Sequence, residues 1–306
     1  MISCKLAGGL GNQLFQIFTT IAYALTYSKP FFFLNNHKLI SGTTIRYTYW
    51  DTFLSCLKPF LKDMNNIPQL MLINEPSFNY NKLPENLEKN MSTLLVGYFQ
   101  SPLYFDRYKK QICKLIKIDF KQMIIKQRFI NLFTNKILIS LHFRLGDYKK
   151  YPNIYPILGE KYYSNAITHI LSELNVNYNV VITCLYFCEV EDLNEVEFII
   201  TNLQLLFPLL KFETANPLLE DWEQMLLMSL CNHNIIANST FGWWGAYLND
   251  NPGKIVCYPE HWFMPEVKKD VTDLFEEDWA KIPFDKDSFW PRSLLTKIPF
   301  DQDSFN

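Results

Sequence analysis

The stretch HNIIANSTFGWWGAYL, residues 233–248, joins an apolar run to a glycine-flanked pair of tryptophans through small polar residues. The run HNIIA predicts a short strand, and TFGWWGAYL predicts a helix. Asn238 or Ser239 fits the helix N-cap, where a side-chain oxygen accepts a hydrogen bond from a free backbone amide. The stretch therefore predicts a strand that leads at once into a helix, with hydroxyls and amide donors at the junction.

The chain from Lys136 onward repeats this alternation of strand and helix. The predicted strands are KILISLHF, YNVVITCLYF, LLKFE, HNIIA and KIVCYP. The predicted helices between them are EKYYSNAITHILSEL, EVEDLNEVEFIITNLQLLF, LEDWEQMLLMSLC and TFGWWGAYL. Strands that alternate with helices at this spacing predict a parallel sheet with right-handed crossovers, which is the Rossmann-like architecture.

The length of the chain predicts more than one domain, because 306 residues are too many for one ordinary core. We expect an α/β fold with two Rossmann-like domains that face each other across a cleft, residues 1–135 and 136–275. Residues 276–306 are a predicted solvated tail, in which KIPFDKDSF recurs as KIPFDQDSF without enough copies for a repeat fold. The two Asp-x-Asp triplets, at 285–287 and 301–303, lie in this tail. We therefore expect no metal site.

The composition excludes several classes of protein. Hydrophobic residues make up 48% and charged residues 20%, and the net charge is -2. This balance predicts no binding to nucleic acid or to an anionic membrane. No segment reaches the ~20 apolar residues of a transmembrane helix, no signal-peptide pattern is present, and the seven scattered cysteines lack C-x-x-C spacing. We expect a cytoplasmic protein with reduced thiols and no transmembrane segment.

A glycine-rich turn, GGLGNQ at residues 8–13, lies between a predicted strand and a predicted helix. Backbone amides at such a junction bind anions or let a ligand approach the main chain. The candidate ligand-binding residues are Gly9, Gly11, Asn12 and Gln13. The alternative is a tight turn without a ligand. A dinucleotide site is disfavoured, because Leu14 occupies the third glycine position and no acidic residue follows about 20 residues later.

The segment HFRLGDY, residues 142–148, follows the predicted strand KILISL. His142 and Arg144 leave one face of that strand, because side chains alternate along it. Parallel folds bind ligands at the carboxyl ends of their strands, and the Arg144 fork suits phosphate oxygens. Asp147 would brace Arg144 or cap the next element. The alternative is a surface salt bridge at the end of a strand.

The junction in the opening stretch is a second candidate phosphate site. The amides of Ser239, Thr240 and Phe241 would be free donors at a helix start, where the helix dipole also favours an anion. We interpret Trp243 and Trp244 as core packing that holds this junction rigid. The small polar residues ahead of them would then touch the ligand.

Four motifs occur in an order that resembles glycosyltransferase family 11, the GDP-fucose-dependent α-1,2-fucosyltransferases. They are GGLGNQLFQ, GYFQSPLYF, HFRLGDY and LMSLCNHNIIANSTFGWWGAYL, and the resemblance extends from residue 4 to about residue 262. It implies a GT-B-like fold, with residues 1–135 on the acceptor side and residues 136–275 binding the GDP-sugar. It also implies an inverting, metal-independent transfer of L-fucose from GDP-fucose to a glycan hydroxyl, O2 of a terminal galactose, with no cofactor.

The resemblance assigns roles to the residues that match its motifs. Arg144 would bind the donor diphosphate, with Ser239 and Thr240 completing that site. The implied catalytic residues are Arg144, His142 and Asp147. The implied donor-binding residues are Gly9, Gly11, Asn12, Gln13, Arg144, Glu189, Asn238, Ser239, Thr240 and Phe241. The family often has a second arginine where Leu145 stands, and a Ser-Asp-Asp run where residues 188–192 read CEVED, so Glu189 is the expected acceptor for guanine nitrogens.

Two points stay open. The general base that takes the acceptor proton is Asp147 or Asp221, unless a highly dissociative path needs only a weak base. The competing functions are a noncatalytic protein that binds a sugar nucleotide or a glycan, and a transferase that uses another GDP-sugar. An NAD-dependent oxidoreductase is disfavoured by the glycine-rich turn.

Overall fold

The chain divides into two compact units, and the first unit is built from three separate segments. The computed structural model describes residues 1–41, 44–63, 69–85, 91–174 and 180–284. The first unit comprises Met1–Ile130, Glu220–Leu230 and Lys268–Glu277, and the second comprises Asn131–Leu219, Cys231–Val267 and the described residues from Asp278 onward. The first break lies close to the predicted boundary at 135/136. The two later segments of the first unit have no counterpart in the predicted domains.

A parallel sheet underlies the first unit. Its elements before residue 130 are β1 (Ile2–Cys4), α1 (Leu10–Thr26), β2 (Phe33–Leu34), β3 (Lys38–Ser41), β4 (Thr44–Tyr47), β5 (Leu61–Lys62), β6 (Leu70–Asn74), β7 (Ser92–Val96), α2 (Lys109–Ile116) and α3 (Ile118–Arg128). β1, β7 and β6 pair in that order and run parallel. β2 pairs with β5 in parallel, and β3 with β4 in an antiparallel hairpin. The strand, turn and helix predicted at the N-terminus are confirmed.

In the described part of the second unit, six strands form one parallel sheet. The elements from residue 130 onward are α4 (Ile130–Phe133), β8 (Lys136–His142), α5 (Glu160–Glu173), β9 (Val181–Phe187), α6 (Leu193–Leu206), β10 (Lys211–Thr214), α7 (Asp221–Ser229), β11 (His233–Ile235), α8 (Thr240–Tyr247), β12 (Val256–Pro259) and β13 (Ala280–Ile282). The strand order is β10-β9-β8-β11-β12-β13. Because the order reverses between β8 and β11, the sheet is doubly wound and Rossmann-like. The predicted α/β class is confirmed, although α7 groups with the first unit.

The start of the predicted tail is a strand rather than a solvated end. β13 pairs with β12 in parallel at the edge of the sheet. Ile282 and Phe284, from the first nonapeptide copy, are buried in the same core as the neighbouring strands. Burial of these apolar side chains explains the difference. The rest of the first copy, the second copy and both Asp-x-Asp triplets lie outside the described residues.

A buried polar network fixes β8 against β11. Asn234 and Ser140 are direct partners in the register of these strands, and Asn234 Nδ2 donates to Ser140 Oγ at 2.7 Å. Asn249, just after α8, donates to Asn234 Oδ1 at 2.8 Å. A one-residue slip would leave these buried groups unpaired, at a cost of ~1–3 kcal/mol per group. The network therefore favours one register for the two strands that flank the reversal.

Helix α5 satisfies carbonyl groups at the carboxyl ends of these two strands. Tyr163 donates to His142 O at 2.9 Å, and Tyr162 donates to Ile236 O at 2.5 Å. Burial raises the pKa of both tyrosine hydroxyls well above its usual value, so they remain donors. Because α5 supplies these bonds, the strands can separate there without leaving those carbonyls unpaired.

The paired tryptophans pack in the core, as predicted. Trp243 and Trp244 are fully buried on α8, and Trp243 stacks on Tyr247 with ring centres 4.6 Å apart. Trp243 also contacts Trp279, with ring centres 5.7 Å apart. Beyond its first turn α8 is buried, which explains why it is apolar around its circumference. None of the described helices combines the length and the apolarity needed to cross a bilayer.

We expect Trp243→Ala to lower the free energy of unfolding by ~3–5 kcal/mol, because it leaves a cavity in place of a large buried side chain. Equilibrium unfolding in urea measures this loss as a lower transition midpoint. Leu209→Ala is the matched control, since Leu209 is 93% exposed. Its truncation should change stability by less than ~0.5 kcal/mol. Equal effects of the two substitutions would contradict the packing role of Trp243.

Candidate functional site

The candidate site lies in the second unit, at the carboxyl ends of three neighbouring strands. β9, β8 and β11 are adjacent and parallel, so the residues that follow them emerge at one edge of the sheet. This edge includes the reversal of strand order, where doubly wound folds leave a crevice for ligands. Glu189 follows β9, Arg144 follows β8 and Ser239 follows β11. The fold thus brings these three candidates to one edge.

Arg144 is a positive centre of this edge. Its guanidinium donates to Glu189 and, at 2.6 Å, to Asp147 Oδ1, and its Cζ lies 5.3 Å from the centre of the Tyr148 ring. Burial acts to lower the pKa of Arg144, but the two carboxylates outweigh burial and raise that pKa above its usual value. The side chain is 19% exposed, and its Nε is buried without a partner among the described atoms. Arg144 therefore keeps its charge, is held in one orientation and has a donor to spare.

Asp192 holds the loop that carries Arg144, a role that the sequence did not indicate. Its buried carboxylate accepts from Gly146 N at 2.6 Å and from Lys149 Nζ at 3.0 Å. Gly146 has φ +22°, which favours glycine, and a Cβ there would lie close to Glu189 Oε2. An acidic residue just before an apolar helix is typical of an N-cap. Asp192 makes no side-chain cap bond to α6, because its carboxylate is directed to the loop instead.

Tyr148 links the Arg144 loop to the turn before α8. The Arg144 guanidinium lies over its ring, and its hydroxyl donates to Asn238 O at 2.9 Å. Tyr155 stacks on Tyr148 with ring centres 4.1 Å apart. Burial raises the pKa of Tyr148 above its usual value, so the hydroxyl remains a donor. One aromatic residue, to which the sequence assigned no role, thus joins the two segments predicted to bind phosphate.

The turn at Asn238 and Ser239 has the predicted geometry of a helix start. Ser239 is the N-cap of α8, and its hydroxyl accepts from Phe241 N at 3.3 Å. Asn238 is buried, and its Nδ2 donates to Pro156 O and to Trp262 O at 3.1 Å each. Its Oδ1 has no partner among the described atoms. Asn238 therefore anchors the turn, and the α8 start offers the positive end of a helix dipole. The prediction of free amides is wrong for two of the three residues, because Ser239 N donates to Ala237 O at 2.7 Å and Phe241 N donates to Ser239 Oγ.

His142 contacts the start of α8 but brings no positive charge to it. The centre of its ring lies 5.5 Å from that of Phe241, and a Cβ on Gly242 would lie 2.6 Å from His142 Nδ1. Burial, and then the charge of Arg144, lower the pKa of His142 to about 3. The imidazole is therefore neutral at pH 7. Thr240 and Phe241, at the first positions of α8, are partly exposed.

Two of the predicted ligand residues support the loops of the first unit. Gln13 is buried, and its Nε2 donates to Gly8 O at 3.0 Å and to Tyr47 O at 2.9 Å. Asn12 Oδ1 accepts from Gln100 Nε2 at 2.9 Å. These side-chain amides connect the glycine-rich turn to the end of β4 and to the chain after β7. These contacts give Asn12 and Gln13 a structural role, which a turn without a ligand would also need.

The main chain at Gly9 is open to the approach of a ligand. Gly9 is the N-cap of α1 with φ -77°, and an added Cβ would meet nothing within 4 Å. Gly8, in contrast, has φ +79°, and a side chain there would clash with Asn12. Gly11 is buried in the first turn of α1. Glycine is among the residues favoured at an N-cap, and the missing side chain leaves the main chain here accessible. The contact of Gly9 with a ligand stays a prediction.

Asp221, a candidate general base, belongs to the first unit. Tyr49 donates its hydroxyl to Asp221 Oδ2, and the backbone N of Trp222 donates to Asp221 Oδ1 at 2.7 Å. The residue keeps exposed surface, yet desolvation by the surrounding protein raises the pKa of its carboxyl above the usual value. Asp147, the other candidate, is bonded to the Arg144 guanidinium.

The predictions for guanine and for metal ions stay predictions. The carboxylate of Glu189, the expected acceptor for guanine, is bonded to Arg144 in the structure. Within the described ranges, no group of three or more His, Cys, Asp or Glu side chains could hold a metal ion.

Relatives with known names extend over most of the chain. The family model described as Glycosyl transferase family 11 matches residues 1–283. The chain is 27% identical over 304 residues to the α-1,2-colitosyltransferase of Escherichia coli. This alignment covers 92% of this chain and 99% of that protein. It is 29% identical over 186 residues to the O-antigen biosynthesis glycosyltransferase WbnK of Escherichia coli, and this alignment covers 58% of each chain.

Solved structures of fucosyltransferases align more weakly. A mutant of Arabidopsis thaliana FUT1 in complex with GDP aligns with 97% of this chain and 79% of its own, at 12% identity and a TM-score of 0.46. Fucosyltransferase NodZ from Bradyrhizobium aligns with 81% of this chain and 93% of its own, at 11% identity and a TM-score of 0.43. The family match, in contrast, includes both the glycine-rich turn and the Arg144 edge. The chain belongs to glycosyl transferase family 11.

Proposed function

We propose that this glycosyltransferase moves L-fucose from GDP-fucose to O2 of a terminal galactose on a glycan, with inversion and without a metal ion. The observation that carries the proposal is the contact of Tyr148 with both Arg144 and Asn238, which joins a fixed guanidinium to the start of α8. The α-1,2 linkage named for the Escherichia coli colitosyltransferase supports the position of transfer.

The charge that develops during the reaction explains why such a site suits a sugar nucleotide. Cleavage of the bond between the sugar and the diphosphate leaves negative charge on the diphosphate and positive charge on the sugar ring. Fixed donors that face the leaving group stabilise this charge more in the transition state than in the bound donor. Arg144 supplies a permanent charge and α8 supplies the positive end of its dipole, so no proton has to move before either acts.

Donor binding would change the partners of Arg144. Two carboxylates bond to its guanidinium in the structure, and an added diphosphate would crowd too much negative charge around one cation. We infer that the diphosphate replaces Glu189, because Glu189 reaches Arg144 from a different loop, whereas Asp147 shares the loop of Arg144. The displaced carboxylate of Glu189 would then be free to accept from guanine nitrogens.

The identity of the sugar depends on contacts to single hydroxyls. Colitose is fucose without the 3-hydroxyl, and one relative is named for colitose transfer. A site distinguishes two such sugars strongly only if it forms a hydrogen bond to the hydroxyl that one of them lacks. GDP-colitose is therefore the alternative donor with specific support. The name of WbnK supports an O-antigen glycan as the acceptor class.

Of the two candidate bases, we infer that Asp221 takes the proton of the acceptor hydroxyl. In an inverting displacement the acceptor attacks from the face opposite the leaving group. Asp147 is bonded to Arg144, the proposed diphosphate ligand, which associates it with the leaving group. The raised pKa of Asp221 makes its carboxylate a stronger base than an ordinary aspartate, and the bond from Tyr49 fixes its orientation.

We expect the purified protein to release GDP from GDP-fucose when a galactose-terminated acceptor is present, also in excess EDTA. Mass spectrometry of parallel reactions with GDP-fucose, GDP-colitose and GDP-mannose identifies the transferred sugar. Turnover that requires added metal would rule out the metal-independent mechanism. Donor binding seen by calorimetry, with no product after long incubation, would favour a noncatalytic binding protein instead.

Arg144→Ala should lower kcat by ~10²-fold or more, because it removes a fixed donor to the leaving group. Steady-state kinetics measure this loss, and an unchanged urea midpoint shows that the fold survives. Arg107→Ala is the matched control, since it removes an exposed arginine of the first unit. Its effect should be far smaller. Near wild-type turnover in Arg144→Ala would remove Arg144 from the site.

Asp221→Asn should lower kcat by ~10²-fold or more with little change in the KM for the donor. In the unsubstituted protein the base acts when deprotonated, so activity should rise with pH through a pKa above the usual ~3.9 of aspartate. Tyr49→Phe should shift this rise in activity to higher pH, because the bond from Tyr49 lowers the pKa of Asp221.

Asp147→Asn is the matched carboxylate control for Asp221→Asn. It should raise the KM for the donor more than it lowers kcat, because Asp147 holds Arg144. If the two variants give the same split between kcat and KM, the assignment of the base to Asp221 fails.

A further inference from the structure

Helix α3 presents apolar side chains to solvent as well as to the core of the first unit. Ile118 and Ile125 are buried, whereas Phe120, Met123 and Ile124 are 56%, 44% and 39% exposed. Residues three and four apart lie on one side of a helix, so the exposed residues 120, 123 and 124 form a continuous surface, called here the α3 face. Packing within the first unit does not explain it.

The segment that contains the α3 face is strongly basic. The segment Lys109–Arg128, which comprises α2 and α3, holds seven Lys or Arg residues and one acidic residue, Asp119. The exposed lysines of the segment are Lys110, Lys114, Lys117 and Lys126. The segment thus carries a net charge of +6 in a chain whose total is -2. The balanced total, from which we expected no binding to anionic membranes, conceals this local excess.

We propose that the α3 face and its exposed lysines dock the protein on the surface of a bilayer that contains anionic lipid. Exposed apolar side chains in a lysine-rich segment suit a membrane interface, because the apolar groups insert while the lysines attract anionic headgroups. Phe120, Met123 and Ile124 enter the boundary between headgroups and acyl chains. The flexible lysine stems let the ammonium groups stay at the level of the anionic headgroups.

Other occupants fit the α3 face less well. In a symmetric pair of chains, two segments of net charge +6 would face each other. A stable protein interface buries about 1,200 Å² or more, which three half-exposed side chains do not supply. A bilayer gains from a few inserted side chains together with the field of many lipids. The proposal concerns the first unit alone and does not depend on the donor or on transfer of a sugar.

Flotation of the full chain with vesicles tests the proposal. The protein should float with vesicles of phosphatidylglycerol and phosphatidylcholine, and remain unbound with vesicles of phosphatidylcholine alone. High salt should weaken binding, because it screens the lysines from the headgroups. Equal binding to both kinds of vesicle, or binding to neither, would overturn the proposal.

Variants separate the apolar contribution from that of charge. The double substitution Phe120→Ser with Ile124→Ser should weaken binding by roughly tenfold or more, since it removes the inserted apolar surface. The triple substitution Lys114→Gln, Lys117→Gln and Lys126→Gln should weaken it by roughly 100-fold, since each lysine near an anionic surface contributes about fivefold.

Leu209→Ser with Leu218→Ser is the matched control for the apolar variant. These leucines are 93% and 89% exposed, more than any residue of the α3 face, but lie in the second unit outside the basic segment. This control should bind vesicles as the original protein does. Binding that survives the α3 substitutions, or that the control loses equally, rejects the α3 face. Concentration-dependent dimerisation that only the α3 variant loses, without vesicle binding, would assign the face to a second copy of the chain.

Discussion

The separation of two neighbouring parallel strands at their carboxyl ends is the constraint on which the Arg144 edge depends. β8 and β11 pair directly, but the chain leaves β8 toward β9 and leaves β11 toward β12. Right-handed crossovers then send the two connections to opposite faces of the sheet, and a crevice remains between them. The network of Asn234 with Ser140 fixes the register below this point. The hydroxyls of Tyr162 and Tyr163 on α5 donate to carbonyls at the point where the strands separate.

The charges at this edge are arranged around one guanidinium. Removing a partner from a buried ion pair is costly because it leaves a charge uncompensated, so Glu189 and Asp147 stabilise Arg144 in the folded chain. The same carboxylates compete with an incoming diphosphate. The contacts that hold Arg144 in position therefore also reduce the affinity of the site for a donor. His142 adds no further charge, since burial and Arg144 keep it neutral.

Hydrophobic periodicity predicted the second unit because its strands and helices are bounded by clear changes of period. The same approach gave nothing between residues 40 and 95, where the described strands are two to five residues long. It also missed Asp192, whose partner Gly146 is 46 residues away and whose position suggests only a helix cap. α7 resembles any crossover helix in sequence. Its place in the first unit depends on long-range contacts such as Arg128 with Glu223 and Gln122 with Ser229.

The division of the first unit into three chain segments affects how the protein is made. Glu223 and Ser229 bond to residues of Met1–Ile130, and so does Asp273, which accepts from Tyr80 N. A ribosome adds ~5–20 residues per second, so the N-terminal segment waits roughly 5–30 s for these partners after it has been synthesised. During that interval the surface that α7 later covers meets solvent and other nascent chains. Synthesis is therefore a stage at which this surface is open to aggregation.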